Sequence, residues 1–392
     1  MGASHGCRIR LVVIVFTASV AACSEPPPPD YAFFDACDPR TPPDATCYAE
    51  RRDPASADVV LALEIAHRYI DEHPPESLRW DWGEGVLMYA MTELARVTGD
   101  AGVKAYYAAW MDHHLEEGYS LGVSDSCPPA LTAIARYVET GDDRYAAVAR
   151  DVMHYLDEVA LRTDEGGISH LGTLRIRTLW IDSLFMFGMV LDRWAEVSGD
   201  DHALDEMGTQ LRIFARLLER PDGFFLHSYQ WPEAHDDVPW ARGNSWVTVA
   251  GADYLRVRAL RHQGDDLGVV VARQALAVVG AQDAATGKWH TVLDRSETYL
   301  ETSATGLFAY GLARGFRYGV FGDDTLDTIR RAVAGVRSSV VRDGDGRPVV
   351  TGISGPTIVG TFDDYARVPV VDDLHYGVGA AILALIEASG LP

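Results

Sequence analysis

Cysteine is scarce in this chain, with five in 392 residues, and no spacing among them suits a structural zinc site. Positive charge is also in deficit. Thirty-four Lys and Arg face 57 Asp and Glu, a formal net charge of -23, which disfavours nucleic acid as a general partner. It does not exclude an anionic sugar, because a few arginines in a pocket reverse the local field. The apolar stretch LVVIVFTASVAAC at 11–23 is too short for a confident membrane span. Strand-like alternation is rare, and no Pro/Gly/Ser-rich linker divides residues 50–392. What is abundant is apolar and aromatic: 47% hydrophobic residues, nine Trp and seventeen Tyr, enough for a large core.

The N-terminus reads as an export signal, with Arg8 and Arg10 ahead of the apolar stretch. Val20-Ala21-Ala22-Cys23 resembles a bacterial lipobox. The expectation is a signal peptide over 1–22, cleavage before Cys23, lipidation of its thiol, and a tether over 23–49; an ordinary secretory peptide is the plainer alternative. SEPPPPD at 24–30 makes a stiff, extended spacer. Ser24 rather than aspartate after the lipidated Cys favours the outer membrane of the bacterial cell envelope. Cys7 leaves with the signal. Cys37 and Cys47 flank a short polar loop and are expected to pair in an oxidising space. Cys127 is then left over, and a buried free thiol is expected.

The body, 50–392, carries a recurring Gly-Asp between helix-like segments: VTGD at 97–100, ETGD at 139–142, VSGD at 197–200, QGDD at 263–266 and FGDD at 321–324. Gly can end one helix in a left-handed C-cap, and Asp can cap the next. Helical apolar spacing runs through 58–70, 84–97, 143–159, 183–197, 202–218, 244–260, 304–319, 324–340 and 377–389. Roughly a dozen helices in sequential pairs point to a closed all-α toroid, with an open solenoid as the alternative. Aromatic and Gly-rich loops would gather at one end as a cleft. Their Trp, Asp, His, Asn and Arg suit stacking on, and hydrogen bonding to, a sugar ring. In LWIDSLFM, 179–186, a single carboxylate, Asp182, sits among large apolar residues. It either caps the following helix or handles protons.

RWDWGEG at 79–85, LWIDSLFM at 179–186, WARGNSW at 240–246, YLETSATG at 299–306 and YGVGA at 376–380, in that order, resemble the unsaturated uronyl hydrolases. These are glycoside hydrolase families 88 and 105, the latter the unsaturated rhamnogalacturonyl hydrolases. The resemblance implies an (α/α)6 barrel acting on unsaturated uronic-acid oligosaccharides left by polysaccharide lyases. The terminal 4,5-unsaturated uronide is removed by hydrating its double bond, with a proton to C4 and water to C5. Neither metal nor cofactor is implied.

Residue by residue, the catalytic aspartate falls on Asp182, whose apolar neighbours such as Phe185 are expected to raise its pKa. A second aspartate falls on Asp125, although Ser124 and Pro128-Pro129 depart from the family wording and leave a helix-start cap open. His227, Arg242 and Trp246 match substrate-binding positions. Arg242 could instead form a surface ion pair, and Trp246 could be core. His170, Trp180 and Trp82 are further cleft candidates, against a solvent-facing loop for the histidine and core packing for the tryptophans. Arg175 and Arg177 could add positive charge. His235, Asp236 and Asp237 are read as loop or specificity residues rather than metal ligands. The alternatives are an unsaturated glucuronyl hydrolase for ulvan or glycosaminoglycan fragments, or a non-catalytic carbohydrate-binding lipoprotein.

Overall fold

The structure, a computed structural model, describes residues 52–391 except Arg175. Cys23, Cys37 and Cys47, and with them the anchor, tether and expected disulfide, lie outside the described residues. Cys127 is described, and is buried and free.

Among the described residues, twelve long helices alternate between an outer and an inner layer. The inner helices are Trp82–Thr98, Pro129–Thr140, Gly188–Ser198, Ala241–Leu260, Thr302–Arg317 and His375–Glu387. Each packs on the next, and the last packs back on the first, so the ring closes. This is the (α/α)6 toroid, and the open solenoid is excluded. Burial follows the layers. The inner helix His375–Glu387 is buried at every position from Tyr376 onward. The outer helix Leu326–Ser338 buries a single stripe, including Thr328, Ile329, Ala332, Val333 and Val336, as a helix with one wet face must. Glycine lets the inner helices approach closely: a Cβ on Gly306 would stand 2.7 Å from the Ala380 carbonyl oxygen.

Three of the Gly-Asp turns have the expected chemistry. Gly99, Gly141 and Gly199 end their helices in the left-handed region. Asp100, Asp142 and Asp200 then accept backbone N–H bonds at the start of the next helix. The other two differ. After Leu260 it is His262, not Gly264, that takes positive φ. Gly322 is extended and opens a short 3-10 turn, Asp323–Thr325. The expected helix over 183–197 is broken into Ser183–Met186 and Gly188–Ser198. Among the described residues, strands are confined to four short antiparallel pairs. Two of them fasten separate loops together: Leu179–Trp180 with Ser228–Tyr229, and Ile353–Ser354 with Val370–Val371.

Candidate active site

All six inner helices begin at the same end of the ring, where the loops before them enclose a cavity. Its lining includes Trp82, Asp125, His170, Trp180, Asp182, Met186, Trp240 and Arg242, with Pro356, Thr357 and Ile358 at one side. The empty space there, open solvent at the mouth included, is about 500 Å³.

Asp182 stands just before the short helix Ser183–Met186, yet its side chain makes no capping bond. The pairing of Trp180 with Ser228 and a 2.9 Å bond from Ile181 N–H to the His227 carbonyl bring His227 alongside. Asp182 Oδ2 lies 3.3 Å from His227 Nε2. The pair is not aligned as a hydrogen bond, and both atoms are buried without another partner. Buried polar atoms in that condition are uncommon and call for a functional reading. Burial acts to raise the Asp182 pKa, but the His227 ring, with His170 and Arg242, outweighs it and holds the group below the ordinary carboxylate range. The expected rise from apolar neighbours is therefore corrected, because the sequence did not show two histidines beside this carboxyl.

Asp125 is half-buried in the 3-10 turn Ser124–Ser126. The following helix, Pro129–Thr140, has no side-chain cap. Its carboxylate lies 3.6 Å from His170 Nε2. Burial, then the charges of Asp182 and Asp81, push its pKa well above the usual range. The two carboxyls are thus shifted in opposite directions, Asp182 downward and Asp125 upward, because their surroundings differ.

His170 is buried rather than solvent-facing. It stacks on Trp180 with centroids 4.4 Å apart, and its Nδ1 is 3.0 Å from Ser183 Oγ. Burial depresses its pKa to about 4, against the opposing pull of Asp182. The ring is therefore neutral at ordinary pH.

Arg242 is buried, not at the surface, and it braces a loop. It donates to the carbonyls of Ser354 at 2.9 Å and Gly355 at 3.1 Å, and to Thr357 Oγ1 at 3.2 Å. Its guanidinium lies 4.5 Å from the Trp240 ring centroid and 4.8 Å from that of Tyr376, and Glu301 Oε1 is 3.4 Å away. Trp246 shares the Arg242 helix but is 0% exposed. It stands behind Trp82, 6.4 Å between centroids, and against Phe185 at 4.5 Å. Direct stacking of Trp246 on a sugar is therefore corrected: Trp82, itself stacked on Tyr376 at 4.4 Å, and Trp180 present the aromatic surface.

Three participants were not assigned from sequence. Tyr365 OH lies 2.7 Å from His227 Nδ1. Its only sequence signal is the Thr361…Asp364 capping box that starts its helix. Glu301 accepts from Ala304 N–H at the start of an inner helix and faces Arg242. The loop 353–358 carries a Gly-Pro turn signal but no chemistry legible in one dimension. Asp236 accepts from Phe362 N–H at 2.7 Å, fastening the 235–238 segment to the Tyr365 helix. His235 and Asp237 are exposed, and Arg177 is exposed 3.8 Å from Asp164. Among the described residues no group of three or more His, Cys, Asp or Glu could hold a metal ion.

The chain is similar to the Unsaturated rhamnogalacturonyl hydrolase YesR of Bacillus subtilis, 24% identical over 318 residues, spanning 79% of this chain and 89% of that protein. A crystal structure of a possible member of glycoside hydrolase family 105 from Salmonella enterica superposes with a TM-score of 0.74 at 25% identity, over 86% of this chain and 96% of that one. The unsaturated glucuronyl hydrolase of Bacillus sp. GL1 shares the fold, with a TM-score of 0.66 at 18% identity, over 84% and 95% of the two chains. Residues 62–391 match the profile of Glycosyl Hydrolase Family 88, and the chain belongs to that family.

Proposed function

We propose that the protein removes the 4,5-unsaturated uronic acid from the non-reducing end of lyase-made oligosaccharides by hydrating its double bond. Unsaturated rhamnogalacturonan fragments are the proposed substrates. The observation that carries this reading is the Asp182 carboxyl: it lines the cavity, caps no helix, and has a buried oxygen without a hydrogen-bond partner. A carboxyl placed only for structure would be spent on a cap or an arginine.

In this reading Asp182 delivers a proton to C4, and its carboxylate then takes one from the water that adds at C5. The hemiketal so formed opens and releases the remaining sugar. Before substrate binds, Asp125, shifted upward, takes up a proton more readily than Asp182, shifted downward. A bound uronate adds a negative charge near both acids, raises both pKa values, and so favours protonation of Asp182. His227, held by Tyr365, orients that carboxyl. Neutral His170 can accept or donate one hydrogen bond without adding charge. Trp82 and Trp180 supply apolar surface for the ring. The six inner-helix N-termini carry partial positive charge toward the same space, which favours an anionic substrate despite the net charge of -23.

A lipid-anchored position in the bacterial cell envelope is proposed from Val20–Cys23 and the proline-rich 24–30 segment. The hydration reading is tested by following the ultraviolet absorbance of the double bond over a panel of lyase-made di- and oligosaccharides. Absorbance falls on at least one rhamnogalacturonan-derived member. Binding without absorbance loss across the panel would instead favour a carbohydrate-binding protein.

A further inference from the structure

Asparagine occurs once in this chain, at Asn244. The residue lies in the first turn of the inner helix Ala241–Leu260 and is fully buried. Asparagine is a poor helix former that prefers caps and turns, yet here Trp240 holds the N-cap position and makes no side-chain cap. The Asn244 amide is engaged elsewhere. Phe225 N–H donates to its Oδ1 at 2.8 Å, and its Nδ2 donates to the carbonyls of Phe225 at 2.9 Å and Trp240 at 3.0 Å. These partners fix the amide orientation, since a flipped amide would set donor against donor and acceptor against acceptor. Phe225 faces Glu219 in an antiparallel bridge whose bonds run from Arg220 N–H to the Phe224 carbonyl and from Leu226 N–H to the Leu218 carbonyl. Both main-chain groups of Phe225 are therefore turned away from that bridge, and the Asn244 amide takes the place of a neighbouring strand.

His227 follows two residues after Phe225. Its ring lies 4.5 Å from that of Trp240, centroid to centroid, and its Nε2 lies 3.3 Å from Asp182 Oδ2. Neither of those two atoms has a hydrogen-bond partner among the described residues, so a small displacement decides whether they bond. We infer that Asn244 is a positioning residue that acts on the reaction through His227. One amide holds both the main chain that carries the histidine and the main chain of the tryptophan packed on its ring. This inference rests on the uronide reading of the site, in which His227 orients the Asp182 carboxyl. Aspartate in the same place has the shape of asparagine without its donors. Its carboxylate would face two buried carbonyls, and the segment 225–227 would move away from Trp240.

The test compares Asn244→Asp in two backgrounds, wild type and His227→Gln, by absorbance loss on a lyase-made substrate that wild type consumes. In the wild-type background kcat falls by about 10²-fold, the scale of an ångström of misplacement at a catalytic group, and KM changes little. In the His227→Gln background the same substitution changes kcat by less than about twofold, because the residue it acts through is gone. No loss in the wild-type background, or an equal loss in both, would overturn the assignment. If Asn244→Asp does not fold, Asn244→Ser, which keeps one donor and adds no charge, is carried through the same comparison. Failure of both to fold would also overturn it, since the residue would then serve the ring and not His227. Failure of wild type to consume any substrate of the panel would overturn the uronide reading and the inference with it. That failure appears before any variant is compared, so the two are told apart.

Discussion

Both ends of the helical ring hold buried charge, and they treat it differently. Where the inner helices finish, Arg193, Arg256 and Arg314 interleave with Glu93, Glu196, Asp253 and Glu387. Burial opposes ionisation of Glu93, but Arg96, Arg314 and Arg193 hold its pKa at about 2. Where the inner helices begin, the carboxyls of Asp182 and Asp125 each face a histidine, and Arg242 spends its bonds on a loop. The first end fixes protons and ties five of the six inner helices together. The second leaves two carboxyls beside histidines and spends none of the Arg242 hydrogen bonds on them. Burial alone does not mark a catalytic acid; its partners do.

The sharpest way to separate the ends is Asp182→Asn. Activity should fall by roughly 10³–10⁴-fold, near the upper range for a lost acid–base group, while the melting temperature stays the same or rises. A parallel loss of folding would break the distinction. Next comes Arg256→Ala at the other end. It leaves Asp253 and Glu196 without a guanidinium that lies 2.8 Å from Asp253 and also bonds Glu196. Urea unfolding should show a loss of about 3–5 kcal/mol, with kcat of the folded fraction close to wild type.

A smaller effect is expected of Tyr365→Phe, which removes the hydroxyl beside His227 Nδ1. With about 1 kcal/mol for one hydrogen bond, kcat/KM should drop about fivefold. An unaltered value would remove Tyr365 from the positioning of His227. The smallest effect concerns His170. Its folded pKa is depressed to about 4 from 6.5, so the unfolded chain binds the extra proton first. This contribution to stability is complete above pH 6.5, shrinks as pH falls, and stops changing below about pH 4. At pH 6 the loss is roughly 1 kcal/mol by the same linkage. Unfolding of His170→Gln between pH 7 and 6 should show a shallower decline than wild type. Identical slopes would contradict a neutral, buried His170.

The ring was readable from sequence because helical period, Gly ends and Asp caps are local properties. Gly99–Asp100, Gly141–Asp142 and Gly199–Asp200 carried their turns alone. Gly264 and Gly322 did not: the first turn takes its positive φ at His262, and Gly322 is extended ahead of a 3-10 turn. Asp182 and Asp125 could be picked out from family wording, but the directions of their pKa shifts could not. That of Asp182 depends on His227, 45 positions away, and that of Asp125 on burial and on the charges of Asp182 and Asp81. Trp246 was misplaced for a related reason. Four-residue spacing fixes a helix face, but not whether another ring, here Trp82, stands in front.

Hydration itself is tested most directly by running the reaction in D₂O and locating the label by NMR and mass spectrometry. Protonation at C4 by an acid in exchange with solvent predicts one deuterium at C4 of the released uronate, together with loss of the double-bond absorbance. Release of a sugar whose double bond persists and whose C4 carries no deuterium would contradict the hydration mechanism and point to ordinary attack at the anomeric carbon.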